Sequence, residues 1–213
     1  MRHKYLEMAS TPAVKQARQH YGSAAQYARI DGTLDPEGRL QNDRLGPDEE
    51  EFIAGRDGFY LGSVSETGWP YVQYRGGPMG FLRVLDENTL GFADFRGNRQ
   101  YLTTGNVAGD DRVSLFLMDY AHQRRLKIFG HMQAVDASED PALAARLSVP
   151  DYAARVERAV TITVEAFDWN CPQHITPRFS QAELTDVLAP IRVRLESLEA
   201  ENARLKAALK AAS

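Results

Sequence analysis

The 213-residue chain has one cysteine, no large excess of charge of either sign, and no long apolar run. A single thiol, Cys171, excludes an internal disulfide framework. A formal net charge of −4 argues against a nucleic-acid binder, which normally carries a basic excess. No apolar segment approaches the roughly 18 residues that a membrane helix needs. The first residues, MRHKYLEMASTPAVKQ, lack the apolar centre of a secretory signal. These absences point to a cytoplasmic protein that binds neither nucleic acid nor membrane. What is present is ordinary: 43% hydrophobic and 25% charged residues, which suit a packed core. The length fits one domain with appendages.

Three segments follow from composition and periodicity. Residues 1–47 hold a helical arm, AVKQARQHYGSAAQYARI, weakened by Gly22, and then a loop rich in Gly, Asp and Pro. Residues 48–179 open with a helix whose first turn is acidic, which suits the positive end of its dipole. Short segments rich in β-branched and aromatic residues come next: FYLGSVS, YVQYRGG, FLRVLD, TLGFADF, VSLFLMDY and RLKIFGHMQAVD. Turn residues separate them, the pattern of an antiparallel barrel or sandwich. NRQYLTTGNVAGD suits one or two helical turns, and EDPALAARLSVPDYAARVER a helical excursion before a last strand, AVTITVEAF.

Residues 180–213 differ. Ser180 with Glu183 three residues on is a capping box. Apolar residues then recur at Leu188, Ile191, Leu195, Leu198, Leu205 and Leu209, in steps of three and four, with Asn202 in the one gap. This is a heptad seam flanked by Glu, Arg and Lys. A seam asparagine marks either a weakening apolar stripe or the register-fixing residue of a parallel dimer. The pattern fits a helix that pairs between subunits better than one lying on its own barrel.

The densest chemistry is in DWNCPQHITPRF, Asp168 to Phe179. Cys171 and His174 have metal-ligand spacing, but no second close pair exists, so no metal site is expected. A histidine three residues from a cysteine is weak evidence for a thiol nucleophile, because catalytic partners are spatial. A third constellation is wider. FRGNRQ, Phe95 to Gln100, is a tight loop after a strand and before a possible helix near Tyr101, where backbone amides and guanidiniums could seat a phosphate. Arg124, Arg125 and Lys127 open another strand, and Trp169 and Arg178 supply an aromatic plate and a further anion partner. Taken singly, each arginine reads as a solvated turn residue.

In combination these pieces resemble the pyridoxamine 5′-phosphate oxidase-like family, the FMN-binding split barrels. The likeness runs from about Asp48 to Phe179 and rests on three segments in order. DDRVSLFLMDYAHQRRLKIFGHMQAVD gives two strands around a hairpin; FLRVLDENTLGFADFRGNRQ gives strand, turn, strand and phosphate loop; Trp169, Arg178 and Phe179 match the family's terminus. The resemblance implies a six-stranded antiparallel split barrel with peripheral helices, forming a homodimer with FMN between the subunits.

Residue by residue, it places Asn98, Arg99 and Gln100 on the FMN phosphate, and Ala93 and Asp94 against the flavin. It places Arg125 at the isoalloxazine or ribityl edge, Arg83 near flavin and substrate phosphate, and Arg75 or Gln73 in the role of a first FMN arginine. Trp169 and Arg178 would reach FMN from the neighbouring subunit, and His174 is the candidate proton donor. Cys171 has no assigned role. The true oxidases hold pyridoxal phosphate with a helix-borne Tyr, Arg and Ser and a C-terminal Arg-x-His. Here Tyr152 and Arg155 stand in a different arrangement, and Gln173-His174 has shifted spacing.

The implied activity is therefore FMN-dependent redox chemistry on another small organic molecule, with NAD(P)H or oxygen as partner reactant. A non-catalytic flavin-binding or flavin-sensing protein with a coiled-coil tail for a partner is the alternative. A deazaflavin or haem in place of FMN is a third option.

Overall fold

The structure, a computed structural model, describes residues 1–169 and 172–211. Cys171 lies outside the described residues. The chain forms two compact units: Met1–Asp119 with Arg124–Gln173, and Tyr120–Gln123 with His174–Ser213.

The first unit opens with the arm. Strand β1 (Arg2–His3) pairs in parallel with β2 (Leu40–Gln41). Between them lie α1 (Lys4–Ala9), α2 (Pro12–His20) and α3 (Ala24–Tyr27). The single arm helix expected over residues 13–30 is broken. Thr11 caps α2 with Pro12 in its first turn, and Gly22, at φ +80, takes the left-handed turn that separates α2 from α3. The arm is fixed by Tyr5, stacked on Phe129 at 4.2 Å, and by Lys4 on Glu165 (3.0 Å) and His3 on Asp168 (3.2 Å). Burial pushes the Tyr5 phenol up to about 12. Burial also disfavours the Asp168 charge, but hydrogen bonds from His3 and Lys127 outweigh it and hold that carboxyl below its usual range.

Helix α4 (Pro47–Ala54) leads into the sheet. Its strands are β3 (Gly58–Val64), β4 (Pro70–Gly76), β5 (Arg83–Asp86), β6 (Thr89–Phe95), β7 (Arg112–Asp119), β8 (Arg124–Asp136) and β9 (Val156–Trp169). All neighbours are antiparallel, in the order β4-β3-β7-β8-β9-β6-β5. Helix α5 (Leu102–Gly109) joins β6 to β7, and α6 (Pro141–Leu147) joins β8 to β9.

Two expectations are corrected. The sheet has seven strands where the family resemblance implied six; each of the seven β-rich segments forms one. It is also open, because the edge strands β4 and β5 do not pair. Strand β5 is only four residues long and bulged against β6, too short to close the ladder. Side chains span the opening instead: Phe59 of β3 stacks on Phe81 (5.7 Å) and meets Phe92 of β6 edge-on (5.5 Å).

Alternation fills the core. Leu115 and Leu117 of β7, Leu126 and Ile128 of β8, and Val160 and Ile162 of β9 are fully buried, two residues apart along each strand. Strand β6 is buried on both faces: Leu90 and Phe92 join the main core, while Ala93 packs with Ala144 and Leu147 of α6. Long strands β8 and β9 slip register between Phe129 and Gly130, which lets the sheet coil. A Cβ at Gly130 would stand 2.6 Å from the Thr163 carbonyl oxygen and 2.8 Å from the Ile162 methyl. Backbone cannot yield as a side chain does, so Gly130→Ala is expected to cost about 1–3 kcal/mol in urea unfolding. An unchanged midpoint would show that the bulge relaxes freely.

In the second unit, the Gln123 amide donates to the Ile175 carbonyl (2.7 Å) and the Arg178 guanidinium lies 5.2 Å from the Tyr120 ring centre. Helix α7 (Gln181–Ala211) follows. Its start is the capping box read from the sequence: the Glu183 N–H donates to the Ser180 hydroxyl (3.2 Å), and the Ser180 N–H donates to the Glu183 carboxylate (2.7 Å). Among the described residues no helix is long and apolar enough to cross a membrane.

Candidate functional site

Strand β6 runs out of the core at Asp94, and the chain then turns through residues 96–101 into α5. Asp94 has the same parity as Leu90 and Phe92, so its carboxylate points inward, and it is 2% exposed. A buried carboxylate must be paired. One oxygen accepts from Arg75 Nη1 on edge strand β4. The other accepts from Arg158 Nε (2.9 Å) and Nη2 (2.6 Å) on β9, whose residue 158 lies directly opposite residue 94 in the ladder. Glu157, 3.4 Å from Arg158, is a second anion at the cluster, so the positive excess of the site comes from Arg99 on the neighbouring loop. Arg75 also ties the open edge of the barrel to β6.

A cavity of about 210 Å³ opens here, between this cluster and the 96–101 loop. Its walls include Arg75, Asp94, Asn98, Arg99, Tyr101 and Arg158. The buried Arg75 Nε has no hydrogen-bond partner, a donor left over after the bond to Asp94. Arg99 is exposed. The loop is held in a sparsely populated form: Arg99 (φ 63) and Tyr101 (φ 53) are both left-handed without being glycine. Asn98 fixes it by accepting from the Gln100 N–H (3.2 Å). The Arg158 guanidinium lies 5.0 Å from the Tyr101 ring centre, and the Tyr101 hydroxyl donates to Glu157 (3.3 Å). Thr103 of α5 donates to the Gln73 amide oxygen (2.9 Å), two residues before Arg75 on the same face of β4.

A second cavity, of about 270 Å³, adjoins the first and shares Gln73, Arg75, Asp94 and Phe95 with it. Its walls mix polar groups with the rings of Tyr74, Phe81, Phe92, Phe95 and Tyr152. Tyr152 meets Phe95 edge-on at 5.0 Å. A polar, cationic chamber thus opens beside an aromatic one, an arrangement suited to a flat organic ring that carries an anion. The leftover Arg75 donor and the preformed loop suit an anionic group such as a phosphate.

Of the residues singled out from the sequence, Arg75, Asp94, Asn98 and Arg99 line the first cavity, and Ala93 borders the second. Gln100 stands in the same loop, its side-chain oxygen 3.4 Å from the Asn98 amide. Arg83, Arg125 and Trp169 line neither cavity. Arg83 donates to the carbonyls of Arg146 (2.6 Å) and Ser148 (2.9 Å) and so closes the C-terminal end of α6. Arg125 lies over the Phe116 ring on the sheet face away from the core, its Nε buried without a partner. Trp169 packs edge-on against Phe52 of α4 (4.8 Å), and its indole N–H donates to Glu49 (2.6 Å). His174, at φ 63, and Arg178 belong to the second unit.

Sequence reasoning missed Arg158, Glu157 and Tyr101. Arg158 carried a signal: it shares parity with Val160, Ile162 and Val164, so it is a charge on the inward face of an apolar strand. Asp94 is the matching charge on β6.

Comparison with known proteins bears on the whole sheet. A sequence model of pyridoxamine 5′-phosphate oxidase matches residues 45–169, from the entry to α4 through the end of β9. No curated protein matches significantly. Among solved structures, HupZ of Group A Streptococcus is 12% identical, with 63% of this chain and 99% of that one covered and a TM-score of 0.45. An FMN-binding protein from Syntrophomonas wolfei is 10% identical, at 57% and 83% coverage and a TM-score of 0.45. A Clostridium acetobutylicum protein of the pyridoxinephosphate oxidase family, related to general stress protein 26, is 14% identical, at 64% and 94% coverage and a TM-score of 0.44. Likenesses at that level carry no argument by themselves. The sequence model, which spans well over half of the chain, does: the protein belongs to the pyridoxamine 5′-phosphate oxidase family.

Proposed function

We propose that the protein is an FMN-dependent oxidoreductase acting on a small organic molecule. One observation carries the reading: a cationic cavity with an unused buried donor on Arg75 and a preformed loop bearing Arg99, set beside an aromatic chamber. Arg75 and Arg99 would hold the phosphate, with Asn98 and Gln100 keeping the loop in shape. Arg75, Arg99 and Arg158 outnumber Asp94 and Glu157 around the first chamber and would favour an anion there. When bound, the flavin supplies hydride transfer; the protein supplies its binding, orientation and electrostatic surroundings. The aromatic walls would exclude water from one side of the ring.

In this reading a homodimer completes the pocket. The sheet face opposite the core supports it, because Tyr60 and Val64 of β3 and Val72 and Tyr74 of β4 are exposed there. Arg125 and Trp169, which do not line the cavity, would act on flavin only across that interface, and Arg178 and His174 are proposed to reach it from the neighbouring subunit.

Arg99→Ala is expected to weaken FMN binding more than about tenfold with the fold intact, since a charge-assisted hydrogen bond contributes about 1.5–3 kcal/mol. Fluorescence titration of apoprotein with FMN measures it. An unchanged dissociation constant would put the phosphate elsewhere. Bleaching of the bound flavin by NAD(P)H, with reoxidation by an organic acceptor or oxygen, separates an enzyme from a flavin-binding protein without turnover.

A further inference from the structure

Helix α7 has 31 residues, and the apolar side chains of its seam are exposed: Leu188, Ile191, Leu195, Leu198 and Leu205 are between 43% and 61% accessible. We propose that α7 pairs with the α7 of a second copy of this chain as a parallel, in-register, two-stranded coiled coil. Leu188, Leu195, Asn202 and Leu209 take the first seam position of successive heptads. Ile191, Leu198 and Leu205 take the second, three residues on. Pro190 lies within the helix two residues past a first seam position, with its ring on the outer side of the pair; the helical hydrogen bond it lacks falls in the first heptad, ahead of the seam from Leu195 to Leu209.

Charge selects a copy of the same chain. In a parallel pair, the residue before each first seam position faces the residue after the following second seam position of the other helix. That sets Arg194 against Glu199 of the partner subunit and Glu201 against Lys206 of the partner subunit, and both pairs occur twice by symmetry. Charge alone does not set direction. In a fully overlapped antiparallel pair Arg194 would meet Glu201, and Arg192 would meet Glu199. Asn202 decides. A parallel pair puts it against Asn202 of the partner subunit, amide to amide; an antiparallel pair puts it against Ile191, with its amide unpaired in an apolar seam.

The test uses the full chain with Cys171→Ser, so that no other thiol competes, and adds Leu205→Cys. In the parallel pair the two introduced thiols face each other across the seam and oxidise to a covalent dimer. In the antiparallel pair they stand about 25 Å apart along the axis, at 1.5 Å rise per residue, far beyond disulfide reach. Fast covalent dimer formation by Leu205→Cys alone is the expected result. Adding Glu201→Lys should slow it by setting like charges together, and adding Lys206→Glu as well should restore it. No crosslink at 205, or crosslinks formed only when Leu205→Cys is mixed with Leu188→Cys, would overturn the proposal. So would a charge reversal that the second substitution fails to rescue.

Discussion

Asp94→Asn is expected to destabilise the first unit by about 3–5 kcal/mol, the usual cost of leaving buried cations without their counter-charge. Asp94 is the anion between Arg75 and Arg158, and it is almost wholly buried. Asparagine keeps the shape and one acceptor but removes the charge, so two guanidiniums face each other across a low-dielectric site. Burial disfavours the charge of Arg158, yet its bond to Asp94 and the nearby carboxylates hold its pKa above the ordinary value. The loss also loosens the tie between edge strand β4 and β6, where no backbone ladder closes the barrel. Urea unfolding with an unchanged slope measures the effect. Arg158→Gln should cost less, because Asp94 then keeps Arg75.

The same substitution should have the opposite sign on anion binding. With Asp94 neutral, Arg75 loses its counter-charge and Arg158 keeps only Glu157, so both attract a phosphate more strongly. Added FMN should therefore recover more stability in Asp94→Asn than in the parent protein, by mass action on the folded state. A loss below about 1 kcal/mol would mean that Glu157, already 3.4 Å from Arg158, takes over as counter-ion.

The strands were legible because β-branched and aromatic residues alternate between turn signals, as in VSLFLMD and RLKIFGHMQ. The capping box of α7 was local and could be read in place, whereas Gly22 reads only as weakening one arm helix that it in fact divides. The opening of the barrel was not legible. It depends on β5 ending after four residues, which FLRVLD alone does not dictate. The cavity was half legible. The 96–101 loop stood out as turn residues between a strand and a helix, but its counterpart Arg158 lies 64 residues from Asp94, and only strand parity hints at it. Arg83 reads like any anion-binding arginine until α6 folds its carbonyls onto it, 63 and 65 residues along the chain. Trp169 likewise finds Glu49 at a separation of 120 residues. Long-range polar partners of this kind depend on topology, which periodicity does not encode.

The cavity between β4 and the 96–101 loop is proposed to seat the phosphate of a flavin. Riboflavin is FMN without that phosphate, so the two ligands isolate the contribution of the cationic chamber. Two or more charge-assisted hydrogen bonds at about 1.5–3 kcal/mol each should make FMN bind more than about a hundredfold tighter. The aromatic chamber is common to both ligands and cancels in the comparison. The measurement is fluorescence titration of the apoprotein with each ligand at one ionic strength, repeated on Arg99→Ala. The account predicts a large preference for FMN that narrows by about tenfold or more in the variant. Equal affinities for the two ligands, or a preference that Arg99→Ala leaves unchanged, would contradict it.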